Sequence, residues 1–364
     1  MSTNPARTPA LRLRAGDFVE VRSLEEILAT LDQRARFEAL PFMPEMLKFV
    51  GQRFHVSARA DKTCDRVTKT GIRQMENSVH LDGVRCDGSV HDGCDAACLI
   101  YWKEAWLKPV TGKRREADTL QASRTNESHA APDVSTIFAS TKRPPQPGES
   151  EPIYSCQATE GLEYTFPCSP ARKRSYLEDV RCGNVGWREA TRAYLVERFN
   201  AFQQRRGGTQ FPPLGGSRTT TPVETLDVRP GEVVQVRTRE EIFSTLDMEG
   251  RNRGLTFDRE MLMYCGGTYP VLKRVHKIID EATGKMMPMK RDCVILDGVV
   301  CKSRYHGLCQ RAIYPFWREI WLRRSPARPS DNHPVGEGSF AAFVVKSAVL
   351  MLKRRLGFAR EPRP

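Results

Sequence analysis

No run of 18 or more uncharged apolar residues occurs in this sequence, so no segment reads as a membrane-spanning helix. It has no phosphate-binding glycine loop, no dinucleotide fingerprint, and neither an HExxH nor a GxSxG motif. The enzyme classes that carry those motifs lose their sequence support. Residues 1–15 hold Arg7, Arg12 and Arg14 and lack the apolar core of an export signal. The expectation is therefore a cytoplasmic protein. In that reducing compartment, 11 cysteines serve as free thiols or metal ligands rather than as disulfides. Apolar residues make up only 40% of the chain, below the usual globular share. The shortfall sits in polar connecting stretches, so packed cores remain possible between them.

What the chain does have is a duplication. Residues 11–107 align without a gap onto 226–322 at a constant offset of 215, with 37 of 97 positions identical. Gly16, Val19, Val21 and Arg22 recur as Gly231, Val234, Val236 and Arg237. Glu45-Met46-Leu47 recurs as Glu260-Met261-Leu262, and Cys86, His91 and Cys94 recur as Cys301, His306 and Cys309. A unit near 100 residues is too long for a solenoid repeat and has the length of a small domain.

The net charge of +13 invites a polyanion partner, but its distribution argues against one. Residues 11–110 carry 15 basic and 15 acidic side chains, whereas 226–325 carry 18 and 13. A nucleic-acid face shared by both copies should make both copies basic.

Residues 1–10 read as a disordered lead, 11–110 as the first module and 111–150 as a disordered linker rich in Ser, Thr, Pro, Lys and Glu. Residues 151–207 are a helical middle segment, with Tyr176, Val180, Trp187, Ala190, Tyr194 and Phe199 at helical spacings. Residues 208–225 are a second linker, 226–325 the second module and 326–338 a third linker. Residues 339–358 form an amphipathic basic helix. Within a module, Asp17–Arg22 alternates like a strand, and Ser23 with Glu26 has the spacing of a capping box, repeated by Thr238 and Glu241. Further strands are expected at 54–59 and 78–81, with a closing strand over 98–107. Asp82-Gly83 and Asp297-Gly298 read as turns.

Gly16 followed by a charged residue and alternating valines resembles the opening of SH3-like barrels of the KOW and nitrile-hydratase β-subunit type. That resemblance implies an α+β protein with two tandem small barrels, and implies no activity.

The strongest chemical constellation is Cys86-x4-His91-x2-Cys94. Thiolates and imidazole suit tetrahedral zinc, and close spacing lets one loop supply three ligands. A fourth could be Cys64 or Cys98 in the first copy. In the second copy Ile279 and Ile313 stand at those places, and Cys293 could join Cys301, His306 and Cys309. Cys64, Cys86, Cys94 and Cys98 could alternatively hold an iron–sulfur centre. The competing structural reading makes these cysteines small buried hydrophobes beside a hydrogen-bonded histidine. A thiolate–imidazolium pair of His91 with Cys86 or Cys94 would be a nucleophile, though no orienting third residue accompanies it. Cys156, Cys168 and Cys182 lack regular ligand spacing. Trp102, Glu104 and Trp106 recur as Trp317, Glu319 and Trp321, as a binding platform or as core with the carboxylate on Arg59 or Arg274. Glu45 and Glu260 are expected to pair with a basic residue. The 340–356 helix could lie on an anionic membrane, dock on its own domain or meet a partner.

The reading reached is a non-enzymatic binding or scaffold protein with a protein partner. A nucleic-acid-binding protein and a thiol- or iron–sulfur-dependent enzyme are the alternatives.

Overall fold

The computed structural model describes residues 11–110, 133–143, 148, 151–168, 176–325 and 339–355. It is an α+β protein of small antiparallel sheets and short helices. Residues 1–10 and 326–338 of the sequence reading lie outside the described residues, as does most of 111–150.

Each repeat forms a five-stranded antiparallel sheet in the same order. In the first, Trp102–Lys103 pairs with Ser78–Leu81, which pairs with Arg53–Arg59, then Phe18–Val21, then Leu107–Pro109. In the second the order is Trp317–Arg318, Cys293–Leu296, Thr268–Arg274, Val233–Val236 and Leu322–Arg324. The edge strands do not pair with each other, so neither sheet closes into a barrel. The expected closing strand over 98–107 is instead two short strands joined by a 3-10 turn at Glu104–Trp106. That turn carries the chain from one sheet edge to the other.

Local signals decided the local structure. Ser23 and Glu26 form the capping box on the Leu24–Leu28 helix, and Thr238 and Glu241 repeat it on Arg239–Phe243. Gly83 and Gly298 take φ of 70° and 71° in their turns, a region open to glycine without strain. Valines 19, 21, 234 and 236 alternate inward and are fully buried or nearly so.

The polar middle of the chain is more ordered than its composition suggested. Residues 133–143, inside the expected linker, form the Val134–Ala139 helix, capped by Asp133, and the Lys142–Arg143 strand. Ile137 anchors that helix in the first core, which offsets the ordering cost. Helices occupy Tyr176–Arg181 and Trp187–Arg205. Residues 151–168 instead hold a strand at Ile153–Tyr154, one helical turn at Gly161–Tyr164 and a strand at Phe166–Pro167.

The two compact units are not the two repeats. The first holds the described residues up to Thr191 together with Val275–Lys290 and Val300–Tyr314. The second holds Arg192–Arg274, Arg291–Val299 and the described residues from Pro315 onward. The hairpin of the second repeat, Lys277–Ile279 with Met286–Pro288, thus belongs to the first unit, and so does its Cys/His loop.

Inside the first unit the exchange is reciprocal. The Cys64 N–H donates to Cys309 Sγ at 3.1 Å, and the Ile279 N–H donates to Cys94 Sγ at 3.4 Å. The Asp95 N–H donates to the Lys277 carbonyl at 2.9 Å, and the Gln310 N–H to the Lys62 carbonyl at 3.4 Å. Every pair is related to its counterpart by the offset of 215. Each Cys/His loop therefore docks on the hairpin of the other repeat, as in a dimer whose halves share one chain.

In the second unit the Phe340–Arg355 helix sets Phe340 and Phe343 against Phe199 and Phe211, with ring centroids 5.1 to 5.8 Å apart. Part of its apolar face is thus covered by its own unit. Among the described residues no helix is long and apolar enough to cross a membrane.

Candidate functional site

The four repeated tryptophans are core. Trp102, Trp106, Trp317 and Trp321 are all 0% exposed, so they offer no platform to a ligand. Trp106 Nε1 donates to Thr30 Oγ1 and Trp321 Nε1 to Thr245 Oγ1, each at 3.0 Å. The carboxylate between them does pair with arginine. Glu104 accepts Arg59 Nη1 at 2.6 Å and the N–H groups of Arg12 and Leu13. Glu319 does the same for Arg274 and for the N–H groups of Leu226 and Asp227.

In the first Cys/His loop, Glu45 sits on the Pro44–Phe49 3-10 helix and points at the loop. Its Oε1 lies 2.6 Å from His91 Nδ1, which is the basic partner expected of it. His91 Nε2 donates to the Ser155 carbonyl at 3.2 Å. Burial works against an imidazolium here, but the bond and charge of Glu45 outweigh it and raise His91. Gly88 lets the loop close: at φ 72°, an added Cβ would stand 2.1 Å from the Cys94 carbonyl oxygen.

Atoms of Glu45, Cys86 and His91 that could ligate a metal lie within 4.8 Å of one another. Cys94 does not join that group; its sulfur accepts the Ile279 N–H instead. Cys98 lines a cavity of about 50 Å³ together with Cys86, Cys94 and Cys156. Burial raises the thiols of Cys86, Cys98 and Cys156, the latter two to about 12 and about 11. Cys64 is not brought to these thiols but to Cys309 of the other repeat. Of the four cysteines expected to hold an iron–sulfur centre, Cys86, Cys94 and Cys98 line this one cavity and Cys64 borders another. Cys293 lies on a strand of the second unit, where Arg318 Nη1 donates to its sulfur at 3.0 Å; Cys301, His306 and Cys309 belong to the first unit.

No protein-family model, curated protein or solved structure matches this chain.

The larger concavity was not visible in the repeat pattern. A cleft of about 480 Å³ opens in the first unit beside the Tyr176–Arg181 helix. At its floor Lys62 Nζ pairs with Asp179, whose side chain is 3% exposed. Lys62 also donates to the Gly307 carbonyl at 3.1 Å, and Gln310 Nε2 donates to Asp179 Oδ1 at 2.9 Å. Burial raises Asp179 despite the lysine beside it. Asn184 fixes one wall by exchanging two bonds with the Arg59 backbone, at 2.8 and 3.0 Å. Glu76 and Glu178 add negative charge to the lining, while Cys168 and Cys182 supply thiols.

Sequence reasoning missed Asp179, Asn184 and Gln157 because all three lie in the unrepeated middle segment. Gln157 is a buried clamp, accepting the Tyr101 N–H and donating to the Pro41 and Tyr101 carbonyls. A lone amide or carboxylate in a polar stretch carries no spacing signal.

Proposed function

We propose that this chain is a non-enzymatic binding protein of two SH3-like modules, and that the cleft of the first unit receives a basic side chain of a protein partner. The module reading is supported by the strand order and by the 3-10 turn that joins the two edge strands. The binding reading rests on the cleft itself, a concavity of about 480 Å³ at the place where the duplication is broken. Its inner wall comes from the middle segment, which neither repeat contains. Among the described lining residues, Asp61, Glu76, Glu178 and Asp179 stand with Arg59 and Lys62, a charge balance that favours a guanidinium or ammonium group.

The non-enzymatic reading is supported by how the groups repeated in both copies are used. The tryptophans pack, the carboxylates cap, and His91 has both ring nitrogens bonded. Burial raises the Cys182 thiol on the cleft wall, which makes it a poor nucleophile.

The test is calorimetric titration of the full chain with an acetylated, amidated arginine tripeptide, with a glutamate tripeptide as control. Binding that weakens with salt, and falls at least about tenfold in Glu76→Lys/Glu178→Lys, supports the reading. No binding at millimolar peptide, or equal binding by both proteins, ends it.

A second reading, zinc held by Glu45, Cys86 and His91, has one observation in its favour. Glu45 Oε2 is buried with no hydrogen-bond partner, next to a sulfur and an imidazole. The fit is partial, because a structural zinc takes four donors and His91 would have to give up the Ser155 carbonyl or Glu45. The charge of a zinc ion would supply what Cys86 lacks, a reason to lose its proton.

A further inference from the structure

The reciprocal docking of the loops is symmetric in backbone but not in chemistry. Cys94 Sγ meets the N–H of Ile279, whereas Cys309 Sγ meets the N–H of a cysteine, Cys64. We propose that Cys64 and Cys309 form a peroxide-reactive dithiol that closes to a disulfide, tying the hairpin of one repeat to the loop of the other.

Contact is already made. The Cys64 N–H lies 3.1 Å from Cys309 Sγ and donates to it. Arg311 surrounds the pair: its N–H donates to Cys309 Sγ at 3.4 Å and its Nη1 to the Cys64 carbonyl at 3.4 Å. Arg311 is itself fixed by Glu281 at 2.7 Å. Accessibility separates the roles. Cys64 is half-buried and borders a small cavity of about 20 Å³ that Arg66 and Arg311 also line, while Cys309 is 5% exposed.

The Cys309 thiol beside it, opposed by burial and assisted by the Arg311 and Arg66 cations, lowers Cys64. Cys309 is raised by the same partner and keeps its proton. Cys64, the more accessible of the two and flanked by Arg66 and Arg311, is therefore the attacking sulfur and Cys309 the resolving one.

The chemistry needs a peroxide as oxidant. The Cys64 thiolate attacks one oxygen of hydrogen peroxide; the O–O bond breaks, the sulfenic acid forms, and hydroxide leaves. The Cys309 sulfur then attacks the sulfenic sulfur. The S–S bond forms, and the sulfenic oxygen departs with the Cys309 proton, so that the step releases one water. Hydroxide takes up the proton that Cys64 had released. Two thiols lose two electrons in all, and the peroxide becomes two waters.

The experiment treats the reduced full chain with hydrogen peroxide near equimolar, then alkylates it and maps the peptides by mass. One linked peptide pair joining Cys64 and Cys309 is expected, two hydrogens lighter and split by dithiothreitol. Before oxidation Cys64 should alkylate at least about tenfold faster than Cys98 at pH 7. Cys309→Ser should stop at a sulfenic acid on Cys64, trapped by dimedone. Ile279→Cys should gain a second bridge, to Cys94. Cys64 and Cys309 both still alkylated after doses that oxidise methionines, or a bridge between other cysteines, would overturn the proposal. The wild-type map alone decides this, whether or not a variant folds.

Discussion

His80 offers a quantitative check on the first core. It lies on the Ser78–Leu81 strand, is 0% exposed, and stacks on Tyr101 with ring centroids 4.4 Å apart. Nδ1 donates to the Ile100 carbonyl at 2.8 Å, and Nε2 is buried with no partner. Burial, with the Arg85 and Arg311 cations nearby, lowers the ring to about 4 in the fold against an ordinary 6.5. Between those values the unfolded chain binds a proton that the folded chain refuses. Stability is thus fully present above 6.5 and falls as the pH drops towards 4. One proton over that interval is worth about 3 kcal/mol.

The second repeat has Ile295 at this place, also fully buried, so His80→Ile is the natural perturbation. At pH 7 the variant loses the bond to Ile100 and the Tyr101 contact but also sheds an unpaired ring nitrogen. Those effects oppose one another at about 1 kcal/mol each. The pH dependence separates them from the proton. Urea unfolding, followed by tryptophan fluorescence from pH 7 to 4, should show wild type losing about 3 kcal/mol more than the variant. Carboxylates titrate in both proteins and cancel in the difference. Equal losses would mean that His80 takes its proton inside the fold, and would refute the buried neutral ring.

Two further outcomes are expected. Glu104→Ala should cost about 2–4 kcal/mol in urea unfolding, because two N–H groups lose their acceptor while Arg59 keeps Asp61 and the Leu13 carbonyl, with Glu104→Gln milder; a loss below about 1 kcal/mol would count against the capping role. For the zinc reading, elemental analysis of protein purified without added metal should find zinc equimolar with the chain, absent from Cys86→Ser; metal-free wild type would leave Glu45 and His91 as a plain ion pair.

Much of the local structure was legible because its causes are local. Ser23 with Glu26 and Thr238 with Glu241 cap helices through atoms three residues apart. The alternation at Val19 and Val21 sets a strand face, and Asp82-Gly83 makes a turn wherever the flanking strands lie. The pairing of Glu104 with Arg59, and of Glu319 with Arg274, was legible for another reason: the duplication kept both partners. The tryptophans were legible as repeated and as core; what was not legible was the 3-10 turn, since a run such as Trp102-Lys-Glu-Ala-Trp106 reads as one strand.

The Cys/His pattern shows the limit most clearly. Spacing said that Cys86, His91 and Cys94 share a loop, and they do. It could not say where each side chain points. His91 turned to Glu45, 46 residues away, and Cys94 to a hairpin in the other repeat. Cys64 met Cys309 across 245 residues.

The sequence by itself determined two copies of one small α+β module, their caps, turns and strand faces, and the residues kept in both. Only the tertiary structure decided that the copies exchange loops and that the unrepeated middle segment walls a cleft. Periodicity and capping act over a few residues and are written in order along the chain. Loop exchange and cleft formation depend on which distant surfaces bury each other, and no spacing in one sequence records that.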